Sequence, residues 1–74
     1  MADILFFGRL SGLRASGPEA PTDSRAFRRA LEARFPELAD PGVRMVVNQV
    51  MVATEPVPIA PGDEIAFLAP MSGG

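Results

Sequence analysis

The 74-residue sequence contains no cysteine, histidine, lysine, tyrosine or tryptophan. Without cysteine or histidine the chain has no disulfide and no ordinary zinc site. An enzyme needs a nucleophile, a general base or a metal, and the side chains that most often fill these roles are missing. The composition therefore argues against a chain that is catalytic by itself, and we expect neither a bound metal nor a bound cofactor.

Long hydrophobic runs and strong positive charge are missing as well. No apolar stretch approaches the roughly 20 residues of a membrane span, and residues 1–10 lack the pattern of a signal peptide. The net charge is −2, and the only basic cluster is formed by Arg25, Arg28, Arg29 and Arg34. We therefore expect a cytoplasmic protein that binds neither membranes nor nucleic acid.

The clearest element in the sequence is a helix within "DSRAFRRALEARFPEL", residues 23–38. Apolar side chains recur at helical spacing, which is typical of an amphipathic helix that packs on a core. Thr22, Asp23 or Ser24 is suited to cap its start. Pro36 predicts that the regular helix ends near Arg34 or Phe35. The apolar stripe consists of Phe27, Leu31, Phe35 and Leu38.

Three further segments predict strands. "ADILFFGRL" and "EIAFLA" are short apolar runs beside turn residues, and "RMVVNQVMVA" reads as a hairpin around Asn48 and Gln49. Asn48 suits a tight turn, whereas Gln49 suits its second position poorly and leaves a bulged turn open. "SGLRASGPEAPT" is rich in glycine and proline and predicts a loop, and residues 54–64 also read as turn-rich.

The order strand, loop, helix, hairpin, strand predicts a two-layer α+β sandwich, with the helix on one face of a mixed sheet. Alternation along each strand sorts the apolar residues between the two faces. Exposed apolar patches usually mark a partner surface, although scattered apolar residues are normal on any surface. The helix face would hold Ile4, Phe6, Val50, Val52, Ile65 and Phe67, and the opposite face Leu5, Phe7, Met51 and Leu68.

The carboxylates do not suggest acid–base catalysis. Asp63 and Glu64 are the only adjacent pair, and neighbours on a strand point to opposite faces, so a solvated turn explains them. No glycine-rich phosphate loop precedes a helix. The C-terminal carboxylate remains, because another enzyme could join it to AMP as a mixed anhydride. The closing residues 69–74 would reach roughly 20 Å when extended, and two glycines keep the chain narrow.

Three segments carry a resemblance to a known family: "ILFFGRL" near the start, "VVNQ" in the hairpin, and "PGDEIAFLAPMSGG" at the end. They resemble the small subunit of molybdopterin synthase (MoaD-like, in the ThiS/MoaD sulfur-carrier family). The resemblance implies the ubiquitin-like β-grasp fold, with a mixed sheet packed on one main helix. The second strand of that fold is short or missing here, where the chain is rich in proline. Residues 1–68 would form the domain and residues 69–74 a flexible tail.

The resemblance also implies a function. The carboxylate of Gly74 would be adenylated, converted to a thiocarboxylate, and would donate sulfur for the dithiolene of the molybdenum cofactor. A ubiquitin-activating-like enzyme would adenylate it with ATP, and a large catalytic subunit would receive the tail in a heterotetramer. The tail would consist of Pro70, Met71, Ser72, Gly73 and Gly74, and the partner-binding residues would be Phe7, Met51 and Leu68.

Two alternatives stay open at this point. A related sulfur carrier could serve thiazole or cysteine synthesis, because those relatives share the fold and the Gly-Gly end. A protein of another class, a ubiquitin-like modifier or a plain binding module, would form amide adducts on target lysines or tolerate loss of Gly73 and Gly74. "LFF" and "GDEIAFLAP" favour the molybdopterin branch.

Overall fold

A mixed four-stranded sheet forms the centre of the fold in a computed structural model, which describes residues 3–54 and 56–69. The strand order is β1-β6-β3-β4, with β1 parallel to β6 and the other neighbours antiparallel. A second, two-stranded antiparallel sheet joins β2 to β5. The strands are β1 (Leu5–Phe7), β2 (Thr22–Asp23), β3 (Arg44–Val47), β4 (Val50–Met51), β5 (Pro58–Ile59) and β6 (Ile65–Leu68).

The helix α1 spans Ser24–Arg34, as the apolar stripe predicts. Asp23 is the N-cap, and its side chain accepts a hydrogen bond of 2.8 Å from the backbone N–H of Ala26, which satisfies one of the free donors of the first turn. The regular helix ends just before Pro36, which begins a 3-10 turn at Pro36–Ala39. Local signals therefore set both ends of this element.

The core lies between α1 and the face of the sheet that we call the inner face. Phe67 is fully buried there, and the Phe6 ring stacks on it at a centroid distance of 5.8 Å. Phe35, just beyond the helix, meets Phe6 edge-on at 6.3 Å. The other buried core residues are Ile4, Leu10, Leu31, Leu38, Val43, Met45, Val47, Ile59 and Ile65. The predicted two-layer α+β arrangement is confirmed.

The prediction that Val50 belongs to the core is wrong. Val50 pairs with Val47 across the hairpin and so lies on the inner face, yet 69% of it is exposed. β4 is a two-residue strand at the edge of the sheet, and the buried core side chains of this sheet lie on β3 and β6 instead. Alternation identifies the face of a residue but not whether another element covers it.

The hairpin turn is tight and contains no bulge. Asn48 and Gln49 both have positive φ angles, 50° and 69°, as a two-residue type I′ turn requires. The Asn48 side chain accepts a 3.0 Å hydrogen bond from the N–H of Glu64, and the N–H of Asn48 donates to the carbonyl of Glu64 at 2.8 Å. These contacts to the segment before β6 hold a turn that Gln49 alone would disfavour.

The stretch between β1 and α1 is mostly loop, as predicted. It contains a 3-10 turn at Gly8–Leu10 and one isolated bridge between Asp3 and Ser16, where the Ile4 N–H donates to Ala15 at 2.9 Å. This bridge is what the described residues retain of a second strand beside β1.

The small β2–β5 sheet was not predicted from the sequence. The buried Ser24 fastens it to the helix start, because its N–H donates to the carbonyl of Val57 at 2.8 Å and its hydroxyl accepts from the Val57 N–H at 2.9 Å. This pair of bonds ties the proline-rich segment after the hairpin to the helix.

Candidate functional site

The root of the C-terminal segment lies beside the end of β1. Phe7 and Leu68 are partners in the parallel β1–β6 pair, so both strands end at the same edge of the sheet. Gly8 then turns the chain away with a φ of 68°, and Ala69 passes next to it. A Cβ placed on Gly8 would lie 3.5 Å from the carbonyl oxygen of Ala69 and 3.6 Å from its Cβ. Ala69, the last described residue, therefore leaves the folded domain beside Gly8, which has no side chain.

The sheet face turned away from α1, which we call the outer face, is largely apolar. Register and alternation bring together side chains from all four strands of the main sheet. The face is composed of Leu5, Phe7, Arg44, Val46, Met51, Ala66 and Leu68.

Several of these side chains are open to solvent. Leu5 is 43% exposed, Phe7 48% and Met51 52%, while Leu68 is half-buried and Ala66 is buried between larger neighbours. Large exposed apolar side chains that gather on one sheet face are typical of a protein interaction site. The structure thus brings the predicted partner-binding residues Phe7, Met51 and Leu68 onto one face.

The two outer-face residues of β3 were not predicted from the sequence. Val46 pairs with both Ala66 and Met51 and so fills the centre of the face, and Arg44 lies opposite Leu68. The signal was available in the alternation of "RMVV", where positions 44 and 46 share a face. Only the pairing of β3 with β6 shows that this is the same face as Leu68.

An ion pair holds the turn beside Ala69, the position that we call the tail root. The Arg9 guanidinium donates to the Asp40 carboxylate at 2.7 Å, and the Gly42 N–H donates to the other carboxylate oxygen at 2.8 Å. The hydrogen bond from the Gly42 N–H lowers the pKa of Asp40 below its usual value of 3.8, and the hydrogen bond from Arg9 lowers it further. The turn that follows Gly8 is thereby tied to the segment leading into β3.

The acidic turn before β6 has a structural role. The Asp63 side chain accepts a 2.8 Å hydrogen bond from the N–H of Ala60 and closes the turn through Pro61 and Gly62. In residues 3–54 and 56–69, no group of three or more acidic side chains is placed to hold a metal ion. Within the same ranges, no helix is long and apolar enough to cross a membrane.

The predicted tail residues Pro70, Met71, Ser72, Gly73 and Gly74 lie outside the described residues. Ala69, which precedes them, is half-buried and packs against the edge of the core. The structure therefore gives the position from which this segment departs.

Comparison with known proteins identifies one family. The model of the ThiS family matches residues 4–74, nearly the whole chain, including every strand, the helix and the closing segment. None of the curated proteins matches the chain with significant similarity.

The positive φ of Gly8 generates a stability prediction. Gly8→Ala places a Cβ in the left-handed region, so we expect the free energy of unfolding to fall by about 1 kcal/mol in chemical denaturation. Gly12→Ala is the matched control, because Gly12 lacks a positive φ and has no atom within 4 Å of the added methyl group. Equal stability of the two variants would show that Gly8 is not conformationally required.

Proposed function

Because the chain belongs to the ThiS family, whose members are small, non-catalytic sulfur carriers with the ubiquitin-like β-grasp fold, we propose that it carries sulfur on the C-terminal carboxylate of Gly74. The fold predicted from the sequence is thereby confirmed. The observation that supports the proposal most is the position of Ala69, which directly follows the end of β6 beside an exposed apolar face. A partner that covers this face is placed to receive the residues that follow.

The chemistry assigns no catalytic side chain to this protein. A carboxylate oxygen of Gly74 attacks the α-phosphorus of ATP in a partner enzyme, and pyrophosphate leaves. Hydrogen sulfide ion released by a sulfur donor then attacks the acyl carbon of the mixed anhydride and displaces AMP, and loss of the S–H proton to solvent leaves a thiocarboxylate. Holding the terminus in the partner's site supplies the entropic advantage of proximity. The chain itself contributes a reachable carboxylate and a docking surface.

The proposed tail is long enough and narrow enough to enter a pocket of a partner protein. From Ala69 to Gly74 an extended chain spans roughly 20 Å, which is enough to lead from a docked body into a neighbour's pocket. Gly73 and Gly74 add no side-chain bulk and accept any backbone angle. We propose that residues 69–74 act as this tail and that partner enzymes bind the β-grasp domain from which it extends.

We assign the outer face as the docking surface. Phe7, Met51 and Leu68 lie on it together with Leu5 and Val46. Burying such side chains contributes about 25 cal/mol for each Å² of apolar surface removed from water. The proposed partners are an adenylating enzyme of the ubiquitin-activating type, which uses ATP, and an enzyme that accepts the sulfur.

For the pathway we propose molybdenum cofactor synthesis, in which the thiocarboxylate supplies sulfur for the molybdopterin dithiolene. The sulfur-accepting partner is then the large catalytic subunit of molybdopterin synthase, in a heterotetramer. The support is the resemblance of "ILFFGRL" and "PGDEIAFLAPMSGG" to the small subunit of that enzyme. A carrier for thiazole or cysteine synthesis is the second candidate, since the family match includes the closing segment on which such carriers also depend.

Deleting Gly74 separates the tail from the body. We expect the shortened chain to unfold at the same denaturant concentration as the full chain, because the buried core side chains and Ala69, which packs against them, all precede residue 70. It should support no molybdopterin formation when combined with a large subunit, an adenylating enzyme, ATP and a sulfur donor. Full activity of the shortened chain would contradict the carrier proposal, and a full-length chain active only in thiazole formation would reassign the pathway.

Neighbouring residues on β4 test the outer face. Met51 lies on the outer face and Val50 on the inner one, and both are more than half exposed, at 52% and 69%. We expect Met51→Asp to raise the dissociation constant for the adenylating enzyme by about tenfold or more, because it places a charge in the docked apolar surface.

Val50→Asp is the control, since it adds the same charge one residue away on the other face. We expect it to leave the dissociation constant nearly unchanged in calorimetric titration. Both variants should keep the stability of the parent within about 0.5 kcal/mol. A larger binding defect for Val50→Asp would place the docking surface on the helix side of the sheet.

A further inference from the structure

The outer face contains one charged residue among its seven strand positions, Arg44 at the start of β3. It lies directly opposite Leu68, which in turn lies beside Phe7. Because adjacent strands are about 4.8 Å apart, these three residues form one row across the sheet. Ala69 is the next residue after this row, so Arg44 belongs to the part of the face nearest the tail root.

Arg44 is exposed, and its charge is not neutralised within the described residues. Arg9 and Arg28 each form an ion pair there, with Asp40 and Glu32, whereas residues 3–54 and 56–69 provide no such partner for Arg44. The carboxylate nearest to Arg44 along the chain is that of Asp40, and it is already paired with Arg9. Two other carboxylates beside the sheet lie at its far end. Asp3 precedes β1 and Glu64 precedes β6, two parallel strands that run toward the tail root.

A docked partner has to meet this charge. A partner that draws in the tail must close around Ala69, and Arg44 is one strand away from the residue before it. Covering a guanidinium with an apolar surface leaves an uncompensated buried charge, which is strongly destabilising. Arginine pairs well with carboxylates, because its planar fork donates two parallel hydrogen bonds. A carboxylate on the partner therefore satisfies Arg44 where solvent is excluded.

Resting on the function proposed above, we propose that the adenylating enzyme presents an aspartate or glutamate opposite Arg44, next to the entrance that takes the tail. Adenylation is the step at which the enzyme must position the C-terminal carboxylate, at the end of this narrow tail, against ATP. A directional ion pair at the root of that chain sets the orientation that non-directional apolar contacts leave open. The chain as a whole is acidic, with a net charge of −2. On the outer face, an acidic group of a partner is therefore attracted at Arg44.

The test is ATP–pyrophosphate exchange, which requires only ATP, pyrophosphate, the carrier and an adenylating enzyme that accepts the wild-type chain. Arg44→Glu should raise the KM for the carrier by about 30-fold or more, the lower range for breaking a desolvated charge pair, and leave kcat within about twofold. Arg44→Met should give a smaller increase in KM than Arg44→Glu. Arg29→Glu, an equal change at an exposed position on α1, should leave KM nearly unchanged.

The decisive arm is charge exchange. Replacing the responsible acidic residue of the enzyme with arginine should restore the KM of Arg44→Glu and raise that of the wild-type carrier. Wild-type KM in both Arg44 variants would overturn the inference, as would tighter binding of Arg44→Met. A defect confined to the later sulfur-transfer step would overturn it as well, because the carboxylate would then belong to the sulfur-accepting enzyme.

These results are separable from a failure of the proposed function. If exchange occurs with the wild-type chain and depends on Gly74, the carrier chemistry stands whatever Arg44 does. If exchange persists after deletion of Gly74, the tail is not the substrate. In that case the function proposed above fails before the contribution of Arg44 is in question.

Discussion

The parallel pairing of β1 with β6 is the constraint on which the rest of the structure depends. It joins the beginning of the chain to its end and buries Phe67 against Phe6 at the centre of the core. Because the strands are parallel, their ends lie at one edge of the sheet, and the closing segment departs beside Gly8. The same pairing aligns Leu5 and Phe7 with Ala66 and Leu68 on the outer face. The core, the tail root and the candidate docking face therefore follow from one strand pair.

The division of labour in the proposed function follows from the composition. A chain without cysteine, histidine or lysine has few side chains suited to covalent chemistry, and in the proposal its reactive group is the main-chain carboxylate of Gly74. The domain contributes what a small β-grasp body can supply, a rigid support and one largely apolar face. The reactive partners in the proposal are enzymes that supply the nucleotide site and the sulfur. Specificity then depends on the outer face, where Arg44 is the one position that demands a particular chemical group of its partner.

Much of the fold could be predicted from the sequence, because local signals specify it. The stripe from Phe27 to Leu38, the Asp23 cap and Pro36 set the helix, and alternation assigned β1 and β6 to the correct faces. What could not be predicted depends on contacts between distant segments. Val50 is on the expected face but lies at an uncovered edge, and the β2–β5 sheet relies on the bonds of Ser24 with Val57. The position of Arg44 required the register between β3 and β6, which no local pattern reveals.

The central claim is that Gly74 carries sulfur, and the intact mass of the protein tests it most directly. The full chain is incubated with ATP, an adenylating enzyme and a sulfur donor, and its mass is measured before and after. We predict a gain equal to one exchange of oxygen for sulfur, which fragmentation places at Gly74 and which requires ATP. An unchanged mass under conditions in which the enzyme consumes ATP with the chain, or recovery of the chain in amide linkage to other proteins, would contradict it.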